Sequence, residues 1–190
     1  QNFNKGLTLT ALGSFWWGAI GVFYFKYISF AGPIEVVIHR CVWTSVILIM
    51  STFYFSKWNI FFEIVVNKKK LLWLFFSGLL IFINWATWIY AVGTERIIDA
   101  SFGYFIMPIL SVFLGYIFFN EKINKKRALS IILVLISILF LLIVNFNSIP
   151  WVGIIVALSW GFYNLLRKKV NVDTDIGLLI ESLFILPFTL

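Results

Sequence analysis

The chain has 190 residues, of which 62% are hydrophobic and 12% charged, and its mean hydropathy is +0.99. That composition excludes an ordinary soluble domain and predicts a polytopic membrane protein. A net charge of +7 would suggest nucleic acid in a soluble protein, but here the cations lie between apolar runs, in alternate loops, so they read as a topology signal and no nucleic-acid partner is expected. One cysteine, Cys41, excludes an internal disulfide, and its place in an apolar run makes it a small buried hydrophobe.

A hydrocarbon core about 30 Å thick takes roughly 20 helical residues to cross. Residues 6–28, 33–55, 71–92, 100–119, 128–144 and 150–166 approach or meet that length, and a further run begins near Ile176. All are apolar on every face, without the two-residue alternation of a barrel strand. The fold class is therefore an all-α helical bundle with six full transmembrane helices and the start of a seventh. The first run lacks a small-residue cleavage site followed by soluble sequence, so it is a span and not a signal peptide. The chain opens on Gln1 and stops at Leu190 inside an apolar run, from which we expect a piece of a longer protein.

Of the fifteen lysines and arginines, all but Lys26, Arg40 and Arg96 fall on one side of the membrane when loops are counted alternately, which predicts a cytoplasmic amino terminus. Between the second and third spans, Trp58 to Val66 is apolar but too short to cross. It reads either as an interfacial helix or as a loop with anchoring aromatics.

The second span concentrates the intramembrane charge: Glu35, His39 and Arg40 lie in its first third. Such groups are costly in hydrocarbon and demand a partner, a water-filled cavity or a function. Glu35 and His39 share a helix face, with Arg40 turned about 100° from His39. Arg40 lies about 10 Å beyond Pro33 and its guanidinium cannot discharge. It is either a structural pair or snorkelling side chain, or a gating or substrate-anion contact. His39 is either a hydrogen-bonded interior residue or a carrier for a coupling proton.

Further polar and aromatic residues are candidates for a substrate cavity. Asn84 and Trp88 share one face of the third span, with Trp85 beside them, and a buried amide needs a partner or a ligand. In the fourth span Pro108 sits near the midplane, where it frees a carbonyl, and Tyr104 precedes it by one turn. Tyr163 and Asn164 in the sixth span face the same cavity in this reading. There is no GxxxxGK[ST] loop, HExxH, paired cysteine, carboxylate cluster or Gly-x-Ser-x-Gly elbow, so no ATP motor, metal site, cofactor or catalytic residue is expected.

An internal repeat is also visible. Aligning Trp17 with Trp160 sets Ser14 on Ala157, Gly18 on Gly161 and Lys26 on Lys169. Five spans separate the copies, and an odd number inverts the second. The same alignment carries His39 and Arg40 onto the region of Glu181 and Ser182. We therefore expect Arg40 or His39 to approach Glu181 across a pseudo-twofold interface.

Several motifs together carry a family resemblance. They are His39-Arg40 with Trp43, Asn84-Trp85 with Ala91-Val92, the run Ala100 to Pro108 (ASFGYFIMP), Gly115, Asn120-Glu121, Arg167-Lys168-Lys169 and Glu181. The chain resembles the RarD branch of the EamA, or drug/metabolite transporter, superfamily over essentially its whole length. Asp99 and Phe102 depart conservatively from the branch's pattern. The resemblance implies a ten-helix bacterial inner-membrane protein of two inverted five-helix halves, with residues 1–146 as the first repeat and 147–190 as the start of the second. It also implies alternating-access transport of a small-molecule metabolite or drug, with the lipid bilayer as the other partner and the oligomeric state open. A membrane-embedded enzyme and a structural or assembly subunit are the other classes considered; the polar residues are scattered over at least four spans, whereas an enzyme needs a tight cluster.

Overall fold

The computed structural model describes residues 2–28, 30–145 and 150–188, and among them every regular element is a helix. The first span combines α1 (Asn2–Phe15), a π-helical turn (Trp16–Gly21) and α2 (Val22–Tyr27). It is followed by α3 (Pro33–Tyr54), α4 (Trp58–Val66), α5 (Lys68–Gly93), α6 (Ile97–Phe119) and α7 (Lys125–Asn145). After these come α8 (Trp151–Val170), α9 (Thr174–Ile185) and a 3-10 turn (Leu186–Phe188). The boundary expected between residues 146 and 147 lies outside the described residues.

Local chemistry fixes the ends. Pro33 opens α3, where its missing N–H is not needed, and Glu35 lies in the same first turn, where a carboxylate suits the helix dipole. The Asn67 side chain caps α5 by accepting from the Lys70 amide at 3.1 Å. Both α6 and α8 stop at an asparagine in the left-handed region, Asn120 (φ 52°) and Asn171 (φ 50°), a conformation asparagine tolerates better than most residues.

Five helical stretches are long and apolar enough to cross a bilayer: Asn4–Tyr27, Pro33–Tyr54, Lys68–Gly93, Ile97–Phe119 and Lys125–Val144. The chain is thus a multi-pass membrane protein. The sixth expected span is a helix of 20 residues, α8, but Arg167, Lys168 and Lys169 fill its last turn and leave its apolar part short. The last apolar run forms the 12-residue helix α9. The short apolar segment resolves to the nine-residue helix α4, which buries Ile64 against Leu74, Val170, Ile176 and Ile180.

The hub is α5, which touches α2, α3, α4, α6, α8 and α9. Of its apolar window 44% is buried, against none of the first span's. Close backbone approach makes the α6/α8 contact: a Cβ on Gly103 would strike the Gly153 carbonyl, and one on Gly153 the Asp99 carbonyl. Ion pairs and cation–aromatic contacts sort the two ends of the bundle. One end joins Lys57 to Asp173 and Asp175, Glu121 to Lys168 and Arg127, and Lys169 to Trp73. The other joins Lys26 to Glu95 and Arg96 to Trp151. The cations of the α3/α4, α6/α7 and α8/α9 connections therefore gather at one end, as the alternate-loop count requires.

Candidate functional site

Arg40 points from α3 into an aromatic box. Its Cζ lies 4.1 Å from the centre of the Trp85 ring, 5.1 Å from Trp17 and 5.8 Å from Phe25. Trp17 and Trp88 meet edge to face at 6.4 Å, and Trp88 meets Tyr104 in the same way at 6.4 Å. The π turn, α2, α3, α5 and α6 all contribute a ring or the cation. Each cation–π contact away from water is worth about 0.5–2 kcal/mol, which offsets part of the cost of removing a guanidinium from solvent. It supplies no hydrogen-bond acceptor in the guanidinium plane. Arg40 Nη1 and Trp88 Nε1 are buried donors with no hydrogen-bond partner among the described residues.

Glu181 does not meet Arg40 or His39; the expected pairing is corrected by the structure. Its side chain is fully buried in α9, where Ser77 Oγ donates to Oε1 at 2.5 Å and Tyr163 OH donates to Oε2 at 3.2 Å. The nearest cation is Arg167, with Nη1 3.6 Å from Oε1. Arg167 also donates from Nη2 to the carbonyls of Asp173 and Thr174, each at 3.3 Å, so it ties the start of α9 to the end of α8. A Cβ on Gly177 would collide with this guanidinium, which explains a glycine at the end of the first turn of α9. The physical reason for the changed partner is reach: Arg167 is long enough to fold back from the basic end of α8 and bring its charge to Glu181, without a hydrogen bond from Nη1.

The remaining candidates separate. Asn84 is buried in the α5/α8 seam and donates from Nδ2 to Val156 O and Ser159 Oγ, both at 3.1 Å, so its NH2 group is spent on helix packing. Pro108 and Asn164 line a cleft of about 430 Å³ between α6, α7 and α8, with Glu121, Arg127 and Lys168 among its lining residues. His39 lies on the exposed face of α3 and makes no ion pair among the described residues. The predicted cavity wall is thus three places: the Arg40 box with Trp85, Trp88 and Tyr104; the Glu181 cluster with Tyr163; and the cleft at Pro108. Sequence reasoning missed Trp17 and Phe25 as box residues and Ser77 and Arg167 as Glu181 partners. Arg167 looks like one more loop cation, and only the buried acid two turns inside α9 signals otherwise.

Comparison with known proteins identifies the family. The sequence model of the EamA-like transporter family matches residues 4–143. A Vibrio cholerae protein named as an uncharacterized transporter is 36% identical over 187 residues, covering 98% of this chain and 61% of its own length. YojE of Bacillus subtilis, also named as an uncharacterized transporter, is 31% identical over 189 residues, covering 98% and 63%. The protein RarD of Escherichia coli is 33% identical over 183 residues, covering 96% and 61%. The chain therefore spans a little under two thirds of the length of these relatives. No solved structure matches it. With five helices long and apolar enough to cross a membrane, a family match over most of the chain and RarD among its relatives, the chain belongs to the EamA-like transporter family, in its RarD branch.

Proposed function

We propose that the protein is a secondary transporter of small metabolites or drugs, working by alternating access in a bacterial inner membrane with its amino terminus cytoplasmic. The observation that carries this reading is the Arg40 box, a cation and aromatic rings drawn from several helices into one partly buried site. A tight cluster of general acids, bases or nucleophiles would favour an enzyme; the box offers a non-titrating cation and aromatic faces, which suit reversible binding. The basic end of the bundle is the cytoplasmic one in this reading.

A ten-helix architecture of two inverted five-helix halves is part of the proposal. Its support is an asymmetry between the aligned glycines. Gly161 in α8 packs on Leu110 of α6, whereas a Cβ on Gly18 in the first span would meet nothing within 4 Å among the described residues. An inverted second half would place its own helices against Gly18 as α6 lies against Gly161.

The test is purified full-length protein in liposomes loaded with a pool of candidate metabolites. Exchange of an external labelled solute for the internal pool supports the reading. Chemical conversion without net movement, or neither activity with any solute tried, would overturn it.

A further inference from the structure

We propose that the Arg40 box is the recognition point for the anionic group of the transported solute, a carboxylate or phosphate ester on a flat apolar body. This rests on the transporter reading and names a substrate class within it.

A census of charges supports the inference. Every acidic residue of the chain except Glu35 and Glu63 is ion-paired to another cation: Glu95 to Lys26, Asp99 to Arg96, Glu121 to Lys168 and Arg127, Asp173 and Asp175 to Lys57, and Glu181 to Arg167. Glu35 is exposed and its α3 position lies about 140° around the helix from Arg40. Glu63 belongs to α4, on the connection at the opposite end of the span. Among the described residues no acid therefore neutralises Arg40, whose guanidinium is left as an uncompensated charge.

Four buried side-chain polar atoms lack a hydrogen-bond partner among the described residues, Arg40 Nη1, Trp88 Nε1, Ser45 Oγ and Arg167 Nη1, and the two in the box define what would fit there. Arg40 Nη1 and Trp88 Nε1 are both donors, so an acceptor satisfies them and a second donor does not. An anionic acceptor also supplies the charge that Arg40 lacks, in a setting where charge-assisted bonds are strongest. The faces of Trp17 and Trp85 cover the guanidinium and favour a planar apolar body beside the anion. A lipid phosphate has the same acceptor chemistry as a soluble one, so the test must separate them.

The experiment measures thermal unfolding of full-length protein in a neutral detergent with phenylacetate, phenyl phosphate or the uncharged phenylacetamide. Ligand binding to the native state raises the midpoint in a concentration-dependent way. At least one anion is expected to do so and the amide is not. Arg40→Gln should weaken the anion effect on the order of tenfold or more, and Trp88→Phe, which keeps the ring and loses the donor, several-fold. An amide as effective as the anions, or anion stabilisation unchanged in Trp88→Phe and Arg40→Lys, overturns the proposal. So does stabilisation by phosphatidylglycerol micelles alone, which marks a lipid site, and so does no response to any anion, which leaves water as the partner. Liposome exchange of neutral solutes with no response to anions would keep the transporter reading and remove this one.

Discussion

Ser77 Oγ stands 2.5 Å from Glu181 Oε1 where α5 crosses α9, and a Cβ on the neighbouring Gly78 would meet the Glu181 backbone at 3.3 Å. The closeness of the helices and the satisfaction of the carboxylate are one arrangement. Removing one partner of a buried ion pair leaves the other unpaired, at a cost of about 3–5 kcal/mol. Glu181→Ala is expected to destabilise the protein by that order and Ser77→Ala by about 1–3 kcal/mol. A double-mutant cycle on Glu181 and Arg167, read by unfolding midpoints, should show coupling. Additive losses would mean that the 3.6 Å approach carries no interaction.

The glycine contacts give a contrast between positions. Gly153→Ala puts a methyl against the backbone of α6 and should cost about 1–3 kcal/mol, because backbone cannot step aside as a side chain can. Gly18→Ala meets nothing within 4 Å in the described structure, so in this chain it should be neutral or slightly stabilising through helix propensity. In the full-length protein the inverted-repeat proposal requires the opposite for Gly18. Unfolding midpoints of both variants in both lengths decide the matter.

Two surface clusters set pH limits on the basic end. The hydrogen bond from Lys168, with the Lys168 charge and that of Arg127, holds the Glu121 carboxyl below its ordinary value. A depressed folded-state value means that its stabilisation is present above the unfolded carboxylate value, about 4.3, and is lost as pH falls through the folded one. Lys57 is held above its ordinary value, chiefly by its hydrogen bond to Asp175. Its contribution is complete below the unfolded lysine value, about 10.4, and is lost as pH rises through the folded one. Glu121→Gln should therefore lose its difference from the parent on acidification, and Lys57→Met on strong alkalinisation. Both differences should shrink in high salt.

Pro108 offers a prediction about motion. Its ring withholds the N–H that would bind the Tyr104 carbonyl, so α6 is weakened beside a residue of the Arg40 box. Pro108→Ala restores that bond. It should leave stability equal or higher and, if α6 bends during transport, slow solute exchange in liposomes by several-fold.

Much of the fold is legible because hydrocarbon leaves few choices: apolar runs of sufficient length become helices, and Lys57, Lys68, Lys122 and Arg127 mark the ends that share a side. The site is only half legible. Arg40, Trp85, Trp88 and Glu181 stand out because charge and large rings inside a span are conspicuous. Which acid meets which cation depends on side-chain reach across a packed interface, and the repeat that pointed Arg40 at Glu181 carries no information about the length of Arg167. Asn84 resembles a lining residue until its two acceptors in α8 are seen. The exposure of His39 turns on a single 100° step around α3.

The π turn at Trp16–Gly21 spends one residue more on a revolution than an α turn does. In unbroken α geometry Trp17 and Phe25 would lie about 80° apart around the axis. The extra residue brings them to one side, where their rings meet at 5.8 Å beneath Arg40. The turn is thus a phase shift stored in the backbone. Annealing it to α geometry would rotate Val22–Tyr27 against Asn2–Phe15 like a collar on a shaft, and would lift Phe25 from the guanidinium without breaking either end of the helix.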